Sequence, residues 1–472
     1  MLLKVRLPRS IADDRGVAMV PVLIVMAVGL TVSAMLTSSV VSGLNFAGSA
    51  RAAVQSQAAA DAGIAAARAG LYNGDCAQQH TPATYSSTGA LSYTATVQRL
   101  VSGLWQTGCP TNVTPQVRVL STGRAVDSAG NPVGAPTTVE AIYNYISPGV
   151  VPSGTAMYLY GGGVVQANSS FDFSKTPGAG LVVKKGDLVC GKNNTTINGD
   201  VLVNGNLDVG TNSCAINGNA WVSGAVTLGP KGTISGNLVA GSVTPNPPGS
   251  QVGGTVTLGG AVPSAAGWTD ISYVPSDWVD SNGHPYQVIT LSGSSCTQNG
   301  GPLGGAPNQP TIINALACPN GIQVTNNTTF RLTSDVVIFA PMFSWGSTNQ
   351  LNFASSDSTE HRLWFMTPDN VADGNPTCQS TEGDFAINNS FQIQAPIDAV
   401  LYTPCAFAGN NGFAWRGQIY AGSYSSVMNN PSFTFVPVGI AGYDLNNGTR
   451  TPPLTDSQPG TLISNRNITT AP

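Results

Sequence analysis

The chain has 472 residues, a length that suits two or three domains. Charged residues are only 9% of it and apolar residues 42%, a composition unlike that of a helix-rich cytosolic enzyme. Net charge is −4, and no Lys or Arg occurs from Gly232 to Phe330, so the chain lacks the basic stripe that a nucleic-acid partner needs and that class of function is excluded.

Lys4, Arg6, Arg9 and Arg15 form a basic flank, after which no charged residue appears from Gly16 to Ala50. The apolar core, Val17 to Leu36, has the roughly 20 residues that span about 30 Å of bilayer as a helix. The positive-inside rule keeps the flank cytoplasmic. The expectation is a single pass through the inner (cytoplasmic) membrane, with everything after about residue 50 outside. A cleaved secretory signal is the rival reading, but its apolar region spans about 7–15 residues and ends at a small-x-small site. Here the run is longer and continues into an Ala-rich segment, residues 47–71. Ala is the best helix former, so one helix of about 55 residues, roughly 80 Å long, is predicted.

Eight cysteines follow: Cys76, Cys109, Cys190, Cys214, Cys296, Cys318, Cys378 and Cys405. None lies at C-x-x-C spacing, which makes a zinc or thioredoxin-like reading poor. Pairing in chain order is the simplest of the many connectivities and implies an oxidising, extracytoplasmic compartment; eight buried free thiols are the alternative.

Arg15-Gly16, then Val-Ala-Met-Val and the long apolar run, resemble a type III (prepilin-type) signal. Gln-Ala-Ala-Ala-Asp-Ala-Gly-Ile (57–64) is similar to the stretch that ends the helix of PilX-type minor type IV pilins. Val-Leu-Ser-Thr-Gly-Arg-Ala (119–125) and Thr-Thr-Val-Glu-Ala (137–141) resemble the short strands that follow in such proteins. The resemblance covers about residues 9–145. It implies that prepilin peptidase cuts between Gly16 and Val17, that the new N-terminus is open to methylation, and that other pilin-like subunits pack against the helix. Val20, Leu23, Ile24, Met26, Leu30 and Leu36 are the residues expected to carry membrane and filament packing. Major pilins hold a Glu five residues after the cut, where this chain has Pro21. Pro is tolerated in a first helical turn, but the carboxylate that meets a neighbour's N-terminal amine is lost. A minor, tip or accessory subunit fits better than a major one.

Residues 73–150 read as a small antiparallel sheet, because Leu91–Val97, Gln116–Leu120 and Thr137–Tyr145 alternate apolar and polar residues around a turn at 128–132. A long helix on such a sheet is the pilin-like α/β roll, with Cys76 and Cys109 tying the loop after the helix to the sheet. Composition then shifts, and 32 of the 37 Asn fall after residue 160. Ile197-Asn-Gly-Asp, Ile216-Asn-Gly-Asn and Ile234-Ser-Gly-Asn start 19 and 18 residues apart, with Val203-Asn-Gly, Val222-Ser-Gly and Val239-Ala-Gly alongside. Short β-branched strands with Asn-Gly turns at this period predict a parallel (right-handed) β-helix solenoid, Asn and Gly serving turns that need positive φ. Phe330, Phe391, Phe413 and Phe433, each closely following an Asn-Asn pair, are expected to point inward; ordinary surface turns are the alternative for the Asn pairs. The fold class is thus mainly β. The expected divisions are a leader (1–16), a transmembrane and Ala-rich helix (17–72), the pilin-like sheet (73–150), β-helix coils (151–245), a loop excursion (246–310), further coils (311–444) and a tail (445–472).

Parallel β-helices often host polysaccharide lyases and hydrolases, which need paired carboxylates or Ca²⁺ ligands on one strand face. Asp200 and Asp208 are isolated, and Asp277 and Asp280 fall in the excursion. Asp335, Asp357, Glu360, His361 and Arg362 form the densest charged knot, read as a solvated turn. Three histidines, His80, His284 and His361, make a metal site or a Ser-His-Asp triad improbable, and Gly161-Gly-Gly163 lacks the Lys-Ser/Thr of a phosphate loop. Trp268, Trp278, Trp345 and Trp415 are read as core or groove-filling residues, with a carbohydrate-stacking platform as the alternative. The sequence therefore predicts no catalytic residue, cofactor or metal. It predicts a structural minor or tip subunit of a type IV pilus or related filament, displaying an extracellular β-helix for assembly or adhesion at the cell surface. The alternative is a surface-anchored protein that binds or degrades polysaccharide, with surface carbohydrate as its partner.

Overall fold

The computed structural model describes residues 19–72, 76, 84–88, 91–101, 103–110, 114–146, 149–165, 168–190, 194–210, 213–299, 308–345, 350–378, 383–387, 390–409, 412–424, 430–451 and 458–468. The chain is mainly β with one long N-terminal helix. It divides into two compact units, Met1–Ile146 with Gln458–Pro472, and Ser147–Ser457.

In the first unit the helix Met19–Tyr72 runs 54 residues without a break. Ala60, Ile64, Ala67 and Leu71 recur at helical spacing, so they share one face, and that face is buried. It packs on Ala95, Val97, Val117, Val119, Val139, Ala141 and Tyr143, which alternate along their strands and so point to one side of an antiparallel sheet. The sheet runs Thr84–Thr88, Ser92–Val101, Gln116–Val126, Pro132–Ile146, Gln458–Ile468, with Leu104–Thr107 paired to Ser92–Val101. Small residues set the distance between the layers. A Cβ at Gly123 would land on the backbone of Ser56 and Ala60, and Ser56 Oγ accepts the Ala125 N–H at 3.0 Å. The turn between the two long strands is held by Asp127, whose Oδ1 accepts from Ala129 and Asn131; those bonds lower its carboxyl below the usual range. Cys76 and Cys109 are joined, with Cα atoms 5.5 Å apart.

The segment expected as a tail is corrected here. Gln458–Ile468 is a strand paired antiparallel with Pro132–Ile146. In chain order the second unit thus falls between two strands that are neighbours in the first unit's sheet.

In the second unit parallel strands stack rung upon rung. One inward column reads Val256, Leu238, Ala220, Val201, Leu181, Met157, Ile419, Leu401, Phe365, Ile338, Ile313, Ile289. The order is not the chain order. The chain enters in the middle of the stack at Met157–Leu159, winds to one end at Val256–Leu258, crosses to the other end at Gln287–Thr290, and winds back until Phe413–Tyr424 pairs with Met157–Leu159. Residues 259–286 make the crossing. Twelve rungs at about 4.8 Å need roughly 53 Å, which 28 residues at about 3.3 Å each can span. This strap explains why the sheet's outer face is apolar: Tyr158, Val182, Leu202, Tyr402, Trp364 and Val337 face out from the stack and share one buried cluster with Trp268, Ile271 and Trp278 of the strap.

The Asn-Gly repeats occupy the corners. Asp200 Oδ1 accepts the Asn219 N–H (2.7 Å), Asn219 Oδ1 that of Asn237 (2.9 Å), and Asn237 Oδ1 that of Thr255 (2.8 Å). A second ladder runs from Asp187 through Asn206 to Ala225. Each oxygen satisfies a backbone donor that the corner would otherwise leave unpaired. At the heads of the ladders Gly186 and Gly199 take positive φ (141° and 138°), but the corner glycines further along answer to space. A Cβ at Gly236 would stand 2.6 Å from Asn219 Oδ1, and one at Gly254 2.5 Å from Asn237 Oδ1, while neither has a left-handed φ. Ile197, Ile216 and Ile234 form one inward column as the repeat suggests. Val203 and Val222 align with Ala240, not with Val239, which is one residue out of register and faces outward beside Trp221.

Candidate functional site

The first candidate is the helix itself. Val20, Leu23, Ile24, Met26, Leu30 and Leu36 are each between 57% and 72% exposed. They are distributed around the helix, and every residue from Met19 to Arg51 is exposed. A helix that is apolar all round is normally buried or membrane-spanning. This one is long and apolar enough to cross a membrane, and nothing in the described chain covers it. Gly16 and Val17, the expected processing site, lie outside the described residues.

The cysteines pair as 76–109, 190–214, 296–318 and 378–405, with no free thiol among the described residues. The last pair converges with Asp384. Both sulfurs are committed to the bridge, and Asp384 accepts the Ala406 N–H at 3.1 Å, so the group organises a corner. Burial pushes the Asp384 carboxyl up.

Of the charged knot, Asp357 and Glu360 stand in the exposed turn that the sequence suggests. Asp335 and Arg362 belong instead to a ladder crossing four successive rungs. Asp335 Oδ1 accepts the Arg362 N–H at 2.8 Å, Arg362 is in register with Asp398, and Asp398 ion-pairs with Arg416 at 2.5 Å. Burial pushes the Asp335 and Asp398 carboxyls up, and the facing arginines oppose that shift. The two carboxylates are separated by the Arg362 rung, so each meets an arginine. Tyr286, at the end of the strap, donates its hydroxyl to Asp335 at 3.3 Å. His361 is 2.9 Å from Asp357, whose carboxyl is held well below the usual range by the Thr359 N–H and the hydroxyls of Ser355 and Thr359. Asp200 heads a corner ladder, Asp277 pairs with Arg450 at 2.9 Å, and Asp280 caps the turn to His284.

All four tryptophans singled out from the sequence are buried: Trp345 and Trp415 in the interior of the stack, Trp268 and Trp278 on the face of the strap turned to the sheet. Sequence reading passed over Trp105, half-exposed in the first unit, and Trp221, half-exposed in the second. Trp221 lines a cleft of about 290 Å³ with Tyr158, Leu202, Pro263 and Leu445. A second cleft of about 300 Å³ opens at the strand ends on Leu316, Pro341, Thr367, Pro368, Asp369 and Pro404. Its buried Asp369 could have been suspected only from its place in an Asp-Asn-rich loop.

No family model matches the chain, and no curated protein does. Among solved structures it is similar to the competence-associated pilin ComZ from Thermus thermophilus, at 10% identity over 88% of this chain and 97% of that one, with a TM-score of 0.26, a likeness too loose to argue from.

Proposed function

We propose that the protein is a non-enzymatic structural subunit, minor or at the tip, of a type IV pilus or related surface filament. In this reading the first unit is a pilin-like roll, and the second is a parallel β-helix carried outside the cell for assembly or adhesion. Prepilin peptidase removes the leader after Gly16. The helix then leaves the bilayer only by packing against other such helices, because its apolar surface must stay out of water.

One observation carries the reading. A single unbroken helix is apolar and bare through its first half and packed on an antiparallel sheet through its second. The bare half needs a lipid or helical environment, and the packed half fixes it rigidly to the folded part. Four disulfides fit an oxidising compartment for that folded part.

Mechanical shearing of cells, with and without the substitution Ile24→Arg, tests it. The native protein should appear in the sheared filament fraction. Ile24→Arg should remove it from that fraction while the soluble-side disulfides remain intact. Equal recovery of the variant in sheared filaments would contradict helix-mediated packing.

A further inference from the structure

The second cleft carries polar groups that filament packing does not use and that the fold uses only in part. Thr367 sits on its wall, only 4% exposed, and its Oγ1 has no hydrogen-bond partner among the described residues. Buried hydroxyls are normally paired. Beside it Asp369 is 2% exposed. Its Oδ2 accepts from Trp268 Nε1 and from the Thr377 N–H, both at 3.0 Å. Among the described residues its Oδ1 takes only the Val371 N–H, at 3.3 Å, and so retains acceptor capacity. Asn370 stands exposed at the edge with a side-chain amide that both donates and accepts. Between these polar groups the walls are aliphatic, formed by Leu316, Pro341, Pro368 and Pro404.

We propose that this cleft binds one pyranose unit of a glycan. A sugar ring presents hydroxyls at its edge and C–H groups on its faces. The hydroxyls can donate to Asp369 Oδ1 and exchange hydrogen bonds with Thr367 and Asn370, while the C–H faces lie on the prolines. At about 300 Å³ the cleft is at the small end of ligand sites, the size of a single ring. A metal ion is a poorer match, because among the described residues one carboxylate lines the cleft and a hard cation takes six or more oxygens. An ammonium is poorer too, because the Asp369 charge already meets three N–H donors. The Trp268 hydrogen bond ties the site to the strap, so filling the cleft should be sensed by that indole. This inference does not rest on the filament reading.

The test uses the full chain in a non-glycosidic detergent. Maltotriose, cellotriose, chitotriose and galactose are each titrated, with saturation-transfer NMR and tryptophan fluorescence as readouts. Saturable binding of at least one probe is expected. Thr367→Val, which keeps the side-chain shape, should weaken it about five- to tenfold without lowering the unfolding temperature. Val371→Trp at the rim should weaken it by occluding the entrance. Absence of saturable binding for every probe would overturn the proposal, and so would binding that neither substitution changes.

Discussion

Glu140 and Arg466 are 326 residues apart in the chain, yet Arg466 Nε donates to Glu140 Oε1 at 2.7 Å. The other Glu140 oxygen takes Arg118 Nη1 at 3.3 Å. One buried carboxylate thus joins the strands Gln116–Val126, Pro132–Ile146 and Gln458–Ile468. It fastens the returning edge strand to the sheet. Glu140→Gln should cost about 1.5–3 kcal/mol, the worth of hydrogen bonds to a charged group. It should also raise amide exchange specifically in 458–468. Unchanged protection there would show that backbone pairing alone holds the returning strand.

The corner ladder makes a sharper prediction about Asn219. Asn219→Ala leaves the Asn237 N–H without its acceptor and should destabilise the second unit by about 1–3 kcal/mol. Asn219→Ser keeps an acceptor oxygen without setting a second carboxylate against Asp200, whose oxygens take the Asn219 Nδ2 at 3.1 and 3.3 Å, and should cost less. Urea unfolding measures both. If the two substitutions are equal, the side-chain oxygen is not what stabilises the corner.

The strap is anchored at Trp268, which stacks on Tyr402 at 5.2 Å and donates to Asp369. Ile271 N, in turn, donates to the Tyr402 hydroxyl. Trp268→Ala should cost about 3–5 kcal/mol by cavity formation. Because the strap links the two ends of the stack, limited proteolysis should then cut within 259–286 first. Cleavage starting elsewhere would contradict its role as the cover of the outer face.

Asp398 makes stability depend on pH. Burial raises its carboxyl above the ordinary value of about 3.9, and Arg416 only partly offsets this. A carboxyl raised in the folded state binds its proton more tightly there than in the unfolded chain. Its contribution therefore falls as pH rises from the ordinary carboxylate value through the folded one. Asp335, Asp277 and Asp384 are shifted the same way by burial. Asp398→Asn should therefore flatten the dependence of unfolding temperature on pH on the acid side of neutrality. A steeper dependence in the variant would contradict the assigned direction.

Local signals were legible in the sequence and long-range ones were not. The Ile197, Ile216, Ile234 period equals the rung spacing because each repeat there consists of short strands and tight corners. Phe391 and Phe413 stack in register, but Phe433 aligns with Trp415, because the intervening coil is two residues shorter than the motif spacing implies. Nothing local marks the pairing of Met157–Leu159 with Ile419–Ala421, or the return of Gln458–Ile468 to the first unit's sheet. Such pairings are fixed by the complementarity of distant edges. The strap has no periodicity, because its residues follow the sheet's outer columns and not a repeat of their own. The charged knot was visible as composition, but its alternation of Asp and Arg emerges only when four rungs are stacked. The second cleft was invisible for the same reason: its walls come from four separate segments.

The central claim is that the bare helix is a processed filament-packing element. It is tested most directly by intact mass and N-terminal sequencing of the native protein, taken separately from sheared filaments and from membranes. The account predicts a mature start at Val17, with or without N-methylation, and presence in the sheared fraction. A start at Met1 in material confined to membranes would contradict it and leave a plainly anchored surface protein.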